Sequence, residues 1–317
     1  MNMLVKNKNV LVTGGTGFIG SHLIEDLVKQ GANIYVPFVE ILPKSYFLQK
    51  KLDKKVVLEK IDINDREKIL KFINKNNIEY VFHLAAQTIV TKAYEDPLTT
   101  LYTNIVGTLN ILEAVRKNKN IKGIIVASSD KAYGKTTSTY KEDSPLRGDH
   151  PYDVSKSSAD LISQTYFKTY NVPVVISRFG NVYGEGDLHF DRIIPGLCEA
   201  IVNKKVLEIR SNGKYIRDYI YVKDVVKGYL TLLYNLDKIK GEAFNFSSSQ
   251  TLSVLDLVKH AEETLKIKIP YKIINNAQNE IPYQHLNDSK IRKLGWKREY
   301  NMKKKLKEIV KWYKEIL

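Results

Sequence analysis

Six apolar, strand-length runs alternate with helical stretches through the first half of the chain, and few folds accept that alternation. The runs are Asn9–Thr13, Asn33–Val36, Val56–Ile61, Glu79–Leu84, Ile121–Ala127 and Val172–Ser177. Between them the spacing predicts helices over Phe18–Gln30, Asp65–Asn76, Pro97–Asn118 and Pro151–Asn171. Uniformly apolar strands separated by helices belong to a parallel sheet covered on both faces. The expected fold is α/β, a doubly wound parallel (Rossmann) sheet. After about Gly180 the pattern changes to a short helix, Ile193–Lys204, and two strand-like runs, Leu207–Arg210 and Tyr215–Tyr221. Ser211-Asn212-Gly213-Lys214 between those runs reads as a hairpin turn. Ala243–Phe246 is a further strand, and Ser253 with Asp256 caps a helix to about Leu265. Met302, Leu306, Ile309, Tyr313 and Ile316 recur at helical spacing. The expected division is a dinucleotide-binding domain over 1–180, with a return segment at about 215–247. A smaller C-terminal α+β substrate lobe takes 181–214 and 248–317.

Composition limits the partners. A formal net charge of +15 could signal nucleic acid or an anionic surface. The lysines are instead spread along the polar faces of helices, so neither nucleic acid nor membrane is expected. No apolar run approaches the roughly 20 residues of a membrane span. A first strand within ten residues of the N-terminus leaves no room for a signal peptide. The single cysteine, Cys198, excludes an intramolecular disulfide. Six scattered histidines give no metal-ligand spacing, so no metal is expected. A soluble, cytoplasmic protein fits all of this.

Thr13-Gly14-Gly15-Thr16-Gly17-Phe18-Ile19-Gly20 follows the first strand and opens the first helix. Glycines 14, 17 and 20 permit a tight turn, close approach to a pyrophosphate and packing of helix on strand. The helix N-terminus then offers free N–H groups to phosphates. The acid expected on the ribose is less plain. Glu40 lies about twenty residues on, while Lys44 and Ser45 are close enough to meet a 2′-phosphate. NAD is preferred, and NADP stays open. Asp62, with Ile63 beside it, is placed to meet the adenine; the alternative is an exposed loop carboxylate.

Tyr152 and Lys156 stand four residues apart on one helical face. An ammonium there can lower a phenol pKa and make a base for a carbinol proton. Ser128-Ser129-Asp130-Lys131 ends the preceding strand, where open α/β sheets hold ligands.

With His83-Leu84-Ala85-Ala86-Gln87 and Arg217-Asp218-Tyr219-Ile220-Tyr221-Val222-Lys223-Asp224, these motifs follow in the order found in the extended short-chain dehydrogenases/reductases, and the chain resembles that family over nearly its whole length. Ser129-Asp130-Lys131, Gly186-Asp187, Asp191-Arg192-Ile193-Ile194-Pro195 and Leu294-Gly295-Trp296 look most like CDP-glucose 4,6-dehydratases. The resemblance implies a nucleotide-sugar substrate and NAD held by Gly14, Thr16, Gly17, Phe18, Ile19, Gly20, Asp62, Ile63, Leu84, Ala85, Ala86, Gln87, Tyr152 and Lys156. It implies Tyr152 as base, Ser129 on the same oxygen, Asp130 as general acid at C6, and Lys131 for the C5 proton. Asn181, Arg192 and Arg217 would bind the nucleotide. An Arg217–Asp218 ion pair is the rival for the last of these. A 4-epimerase or 4-ketoreductase would need only Ser129, Tyr152 and Lys156. The helices from Pro97 and Pro151 resemble the family's dimer helices, with Ile105, Leu109 and Ile162 as interface or core, so a homodimer is expected.

Overall fold

The computed structural model describes residues 4–248, 251–277 and 280–317. Among them run β1 (Asn9–Thr13), β2 (Asn33–Phe38), β3 (Val57–Lys60), β4 (Tyr80–His83), β5 (Gly123–Ala127), β6 (Val174–Phe179), β7 (Asn181–Tyr183), β8 (Leu207–Ile209), β9 (Ile216–Tyr221), β10 (Ala243–Phe246), β11 (Thr251–Ser253) and β12 (Tyr271–Ile273). Seven of these form one sheet in the order β10-β6-β5-β4-β1-β2-β3, with every neighbouring pair parallel. The expected doubly wound sheet is the one observed. β1 lies between β2 and β4, so the connections diverge there and a crevice opens beyond the carboxyl ends of β1 and β4.

Apart from the exposed edge strand β3, both faces of the sheet are largely buried, which is why its strands read as apolar runs. Along β1, Val10 and Val12 pack with Leu23, Ile24 and Leu27 of helix Phe18–Lys29 and with helix Val222–Tyr234. Leu11, pointing the other way, joins helices Arg66–Lys75 and Gly107–Lys117. A third cluster is built mostly from residues after 180. There helix Met302–Ile316 buries the five residues its spacing singled out, against helices Ile193–Asn203 and Val254–Leu265. The capping box of Ser253 and Asp256 starts the last of these, as its sequence indicated.

Two expectations change. The Asn212-Gly213 turn joins no hairpin: β8 pairs in parallel with β12, while β9 lies between β7 and β11. The turn instead closes on itself and on the next helix. Asn212 Oδ1 accepts from Lys214 N, and Gly213 O accepts from Leu255 N. The long helix from Pro97 is also interrupted, by a π turn over Tyr102–Val106. That turn carries the polar Asn104 into the interior, where it is 1% exposed. Such turns often mark functional positions.

Candidate active site

The glycine loop leaves β1 and enters helix Phe18–Lys29. Gly14 has φ +68°, and a Cβ there would stand 2.7 Å from the Ala85 nitrogen. A Cβ on Gly20 would stand 2.2 Å from the Gly14 carbonyl oxygen. The loop therefore lies against the chain after β4 with no room for side chains. Gly17 is the N-cap and offers no side-chain acceptor to the first turn's N–H groups. This cradle fits a dinucleotide pyrophosphate. At the end of β2, Thr16 Oγ1 donates to Glu40 O at 3.1 Å. The two groups considered for a 2′-phosphate have other work. Lys44 Nζ donates to Ile316 O at 2.6 Å, and buried Ser45 caps the following short helix. That arrangement favours NAD. Ile63 is buried, and Asp62 is an exposed loop carboxylate whose Oδ1 accepts from Asn64 N at 2.8 Å.

After β4, Ala85 N donates to Thr13 Oγ1 at 3.2 Å. Gln87 serves its own loop: its amide bonds Ile89 and Thr100. Asn104 of the π turn accepts from Gln87 N at 2.7 Å and donates to Gln87 O and Ser155 Oγ at 2.9 Å each. It thereby ties this loop to the helix carrying Tyr152. Buried His83 bridges Thr13 and Thr108, and burial, with Lys156 nearby, lowers its pKa to about 3, leaving it neutral.

The chemistry gathers beyond β5. Ser129 Oγ donates to Asp130 Oδ1 at 3.0 Å, and its hydroxyl lies near the Tyr152 phenol. Burial raises the Tyr152 phenol above its ordinary value, opposed by the Arg192 guanidinium and the Ser129 hydroxyl. Lys156 Nζ donates to Ala127 O at 2.9 Å, and burial, opposed by Asp160, lowers its pKa to about 8. Asp130 is 2% exposed, and desolvation raises its carboxyl pKa against the pull of Lys131. Gln284, absent from the sequence reading, touches both neighbours: Lys131 Nζ donates to its Oε1 at 3.3 Å, and its Nε2 donates to Asp130 Oδ2 at 3.0 Å. No local signal points to it, because it lies 154 positions from Asp130.

The lowered Lys156 pKa has a measurable consequence. Between about pH 8 and the ordinary lysine value, the unfolded chain holds a proton that the folded one has released, so this group makes stability rise with pH. Compared with Lys156→Met, the wild type should gain about 1.4 kcal/mol per pH unit in that window. Urea unfolding of both proteins at pH 8, 9 and 10 checks this, and parallel stabilities would contradict it.

Two of the three residues expected on the nucleotide, Arg192 and Arg217, lie close to this group. Arg192 donates to Asp187 Oδ2 and Thr88 Oγ1, each at 3.0 Å, and its charge reaches Tyr152. Arg217 pairs with Glu280 at 2.7 Å and with the Ile281 carbonyl, not with Asp218. Asp218 is instead held by Ser247, Ser248 N and His285. Asn181 begins β7, and its Nδ2 is buried with no hydrogen-bond partner among the described residues. An unmatched buried amide is costly and suits a ligand contact. Among the described residues, no three His, Cys, Asp or Glu side chains gather as a metal would require.

The model of the family described as GDP-mannose 4,6 dehydratase matches residues 11–316. The chain is 32% identical to CDP-glucose 4,6-dehydratase of Salmonella typhimurium, over 98% of this chain and 91% of that enzyme. The structure of UDP-glucose 4-epimerase from Thermotoga maritima with UDP-glucose superposes with a TM-score of 0.88 at 28% identity, covering 97% of this chain and 99% of that one. That of dTDP-glucose 4,6-dehydratase from Bacillus anthracis in complex with NAD gives 0.84 at 26% identity, covering 97% of each. The glycine cradle, the Ser129-Asp130-Lys131 strand end and the Tyr152/Lys156 helix thus sit in a chain that belongs to the GDP-mannose 4,6 dehydratase family, within the extended short-chain dehydrogenases/reductases.

Proposed function

We propose that the protein is an NAD-dependent nucleotide-sugar 4,6-dehydratase that converts an NDP-hexose of the CDP-glucose kind to an NDP-4-keto-6-deoxyhexose. The observation that carries this reading is Asp130, a buried carboxyl biased toward its protonated form beside Ser129 and Tyr152. A 4-epimerase moves a hydride and a hydroxyl proton at C4 and has no need of a carboxylic acid for C6.

In this reading Gly14, Thr16, Gly17, Phe18, Ile19 and Gly20 hold the cofactor pyrophosphate, Asp62 and Ile63 its adenine side, and Leu84–Gln87 with Tyr152 and Lys156 the remainder. Bound NAD supplies the hydride acceptor for C4 and the hydride returned to C6. Tyr152 takes the C4 hydroxyl proton while Ser129 hydrogen-bonds that oxygen. The 4-ketone acidifies the C5 proton, which passes to the Lys131 amine, while Asp130 protonates the C6 oxygen and water leaves. Asn181, Arg192 and Arg217 bind the nucleotide diphosphate, where a guanidinium fork makes paired charge-assisted hydrogen bonds. Residues 1–180 with the return segment 215–247 serve the cofactor, and 181–214 with 248–317 the sugar nucleotide. Among the described residues, no helix is long and apolar enough to cross a membrane. The lone, buried Cys198 suits the reducing cytoplasm, where we place the reaction.

The test is product mass after incubation with NAD⁺ and CDP-, GDP-, dTDP- or UDP-glucose. A product lighter by one water from one of these supports the reading and names the base. A converted sugar of unchanged mass makes the protein an epimerase.

We also propose a homodimer. Leu98 (76% exposed), Tyr102, Leu109 and Leu161 leave apolar side chains open on the helices from Pro97 and Pro151. A second copy packing the same helices would cover them. Leu98→Glu combined with Leu161→Glu should turn a dimer into a monomer by analytical ultracentrifugation. A wild type that sediments as a monomer contradicts the proposal.

A further inference from the structure

We propose that Gln284 is a positioning residue for the elimination, its side-chain amide holding Asp130 and Lys131 together as an acid–base pair. The inference rests on the dehydratase reading and assigns that site a component from the second lobe.

Gln284 is 0% exposed and is fixed through its backbone. Its N–H donates to Ile216 O at 3.1 Å, while Ile216 N donates to Pro282 O at 2.9 Å. One residue on, His285 O accepts from Tyr140 N at 2.9 Å, so the segment is clamped between β9 and the loop after β5. The orientation of the amide follows from chemistry. A lysine amine holds its N–H donors toward the amide, so the amide oxygen must face Lys131, and the NH₂ then faces Asp130. The negative end of the amide dipole therefore lies toward Lys131 and the positive end toward Asp130. Elimination makes that same polarity. Lys131 gains the C5 proton as the C5–H pair forms the C5–C6 double bond. Asp130 loses its proton to the C6 oxygen, which departs with its bonding pair as water. Gln284 favours the ammonium and the carboxylate so formed, and keeps both groups aimed at adjacent carbons.

Asp130 also faces Arg217, Asp218, Tyr140 and Tyr152, in addition to Ser129 and Lys131. All of these remain in variants of Gln284, so the changes report the amide alone. Gln284→Leu withdraws a donor from the Asp130 carboxylate and an acceptor from the Lys131 ammonium. Asp130 then holds its proton more tightly. Gln284→Glu keeps the shape but adds an anion that likewise makes Asp130 hold its proton more tightly.

The experiment measures single-turnover formation of dehydrated product against pH, with NAD⁺ and whichever of CDP-, GDP-, dTDP- or UDP-glucose the wild type dehydrates. Gln284→Leu should slow it on the order of 10²-fold, as expected for lost alignment, with KM within about twofold of wild type. The limb of the pH profile set by Asp130 should move to higher pH in both Gln284→Leu and Gln284→Glu. An Asp130 limb that stays in place in both variants, or a Leu variant with wild-type rate, overturns the assignment. A wild type that dehydrates none of the four sugars overturns the dehydratase reading itself, and the role of Gln284 with it.

Discussion

Tyr152→Phe is expected to leave a folded protein that binds its nucleotide sugar and turns it over about 10³-fold more slowly, within the range for loss of a general base. The ring stays where the helix places it, 7% exposed, so packing is kept and only the hydroxyl goes. Because C4 oxidation precedes every other step, the variant should show neither product nor absorbance of reduced cofactor over the time in which the wild type completes a single turnover. KM should change little, since the diphosphate contacts are elsewhere. A variant with more than a tenth of the wild-type kcat would remove Tyr152 from the role of base.

Asp130→Asn separates the two halves of the reaction. Asparagine keeps the shape and can still take part in hydrogen bonds with Ser129 and Gln284, but it has no acidic proton for the C6 oxygen. Oxidation at C4 should persist while release of dehydrated product falls about 10²- to 10⁴-fold, so reduced cofactor accumulates in a single turnover. Stability should not fall with activity. Desolvation raises the Asp130 carboxyl pKa, so the folded chain retains a proton that the unfolded chain gives up. This group's contribution to stability therefore decreases as pH rises through that interval, and the asparagine is free of the penalty at pH 7. Thermal unfolding at pH 7 should place the variant at or above the wild type. A dehydration rate near wild type would hand the general-acid role to another group.

The cofactor half of the molecule was legible because its signals are local. The apolar runs set the parallel sheet, Gly14 and Gly20 sit where any Cβ collides, and Tyr152 and Lys156 share one helix face. What escaped depends on pairings across the chain. The Asn-Gly turn at 212–213 suggested a hairpin, but β8 found its partner in β12, some sixty residues later, through a parallel pairing that no turn dictates. Helix Val222–Tyr234 was also missed. Its polar side does recur at helical spacing, through Lys223, Lys227 and Thr231, while the apolar remainder is buried between the sheet and helix Phe18–Lys29. Asn104 lies within the helix expected from Pro97, and only the π turn carries it inward to Ser155. The ion pair expected between Arg217 and Asp218 does not form; Arg217 pairs with Glu280, brought in by the same segment that delivers Gln284. That segment has neither a glycine signature nor helical periodicity, and its role exists only once the chain has brought it to Ile216 of β9 and to Tyr140.

The most direct test uses the active nucleotide sugar carrying deuterium at C4 of its glucose. Mass spectrometry and proton NMR of the product should find one water lost and the deuterium at C6, as C4 oxidation followed by hydride return requires. Deuterium still at C4 in a sugar of unchanged mass would mean epimerisation, and Asp130, Lys131 and Gln284 would then need another explanation.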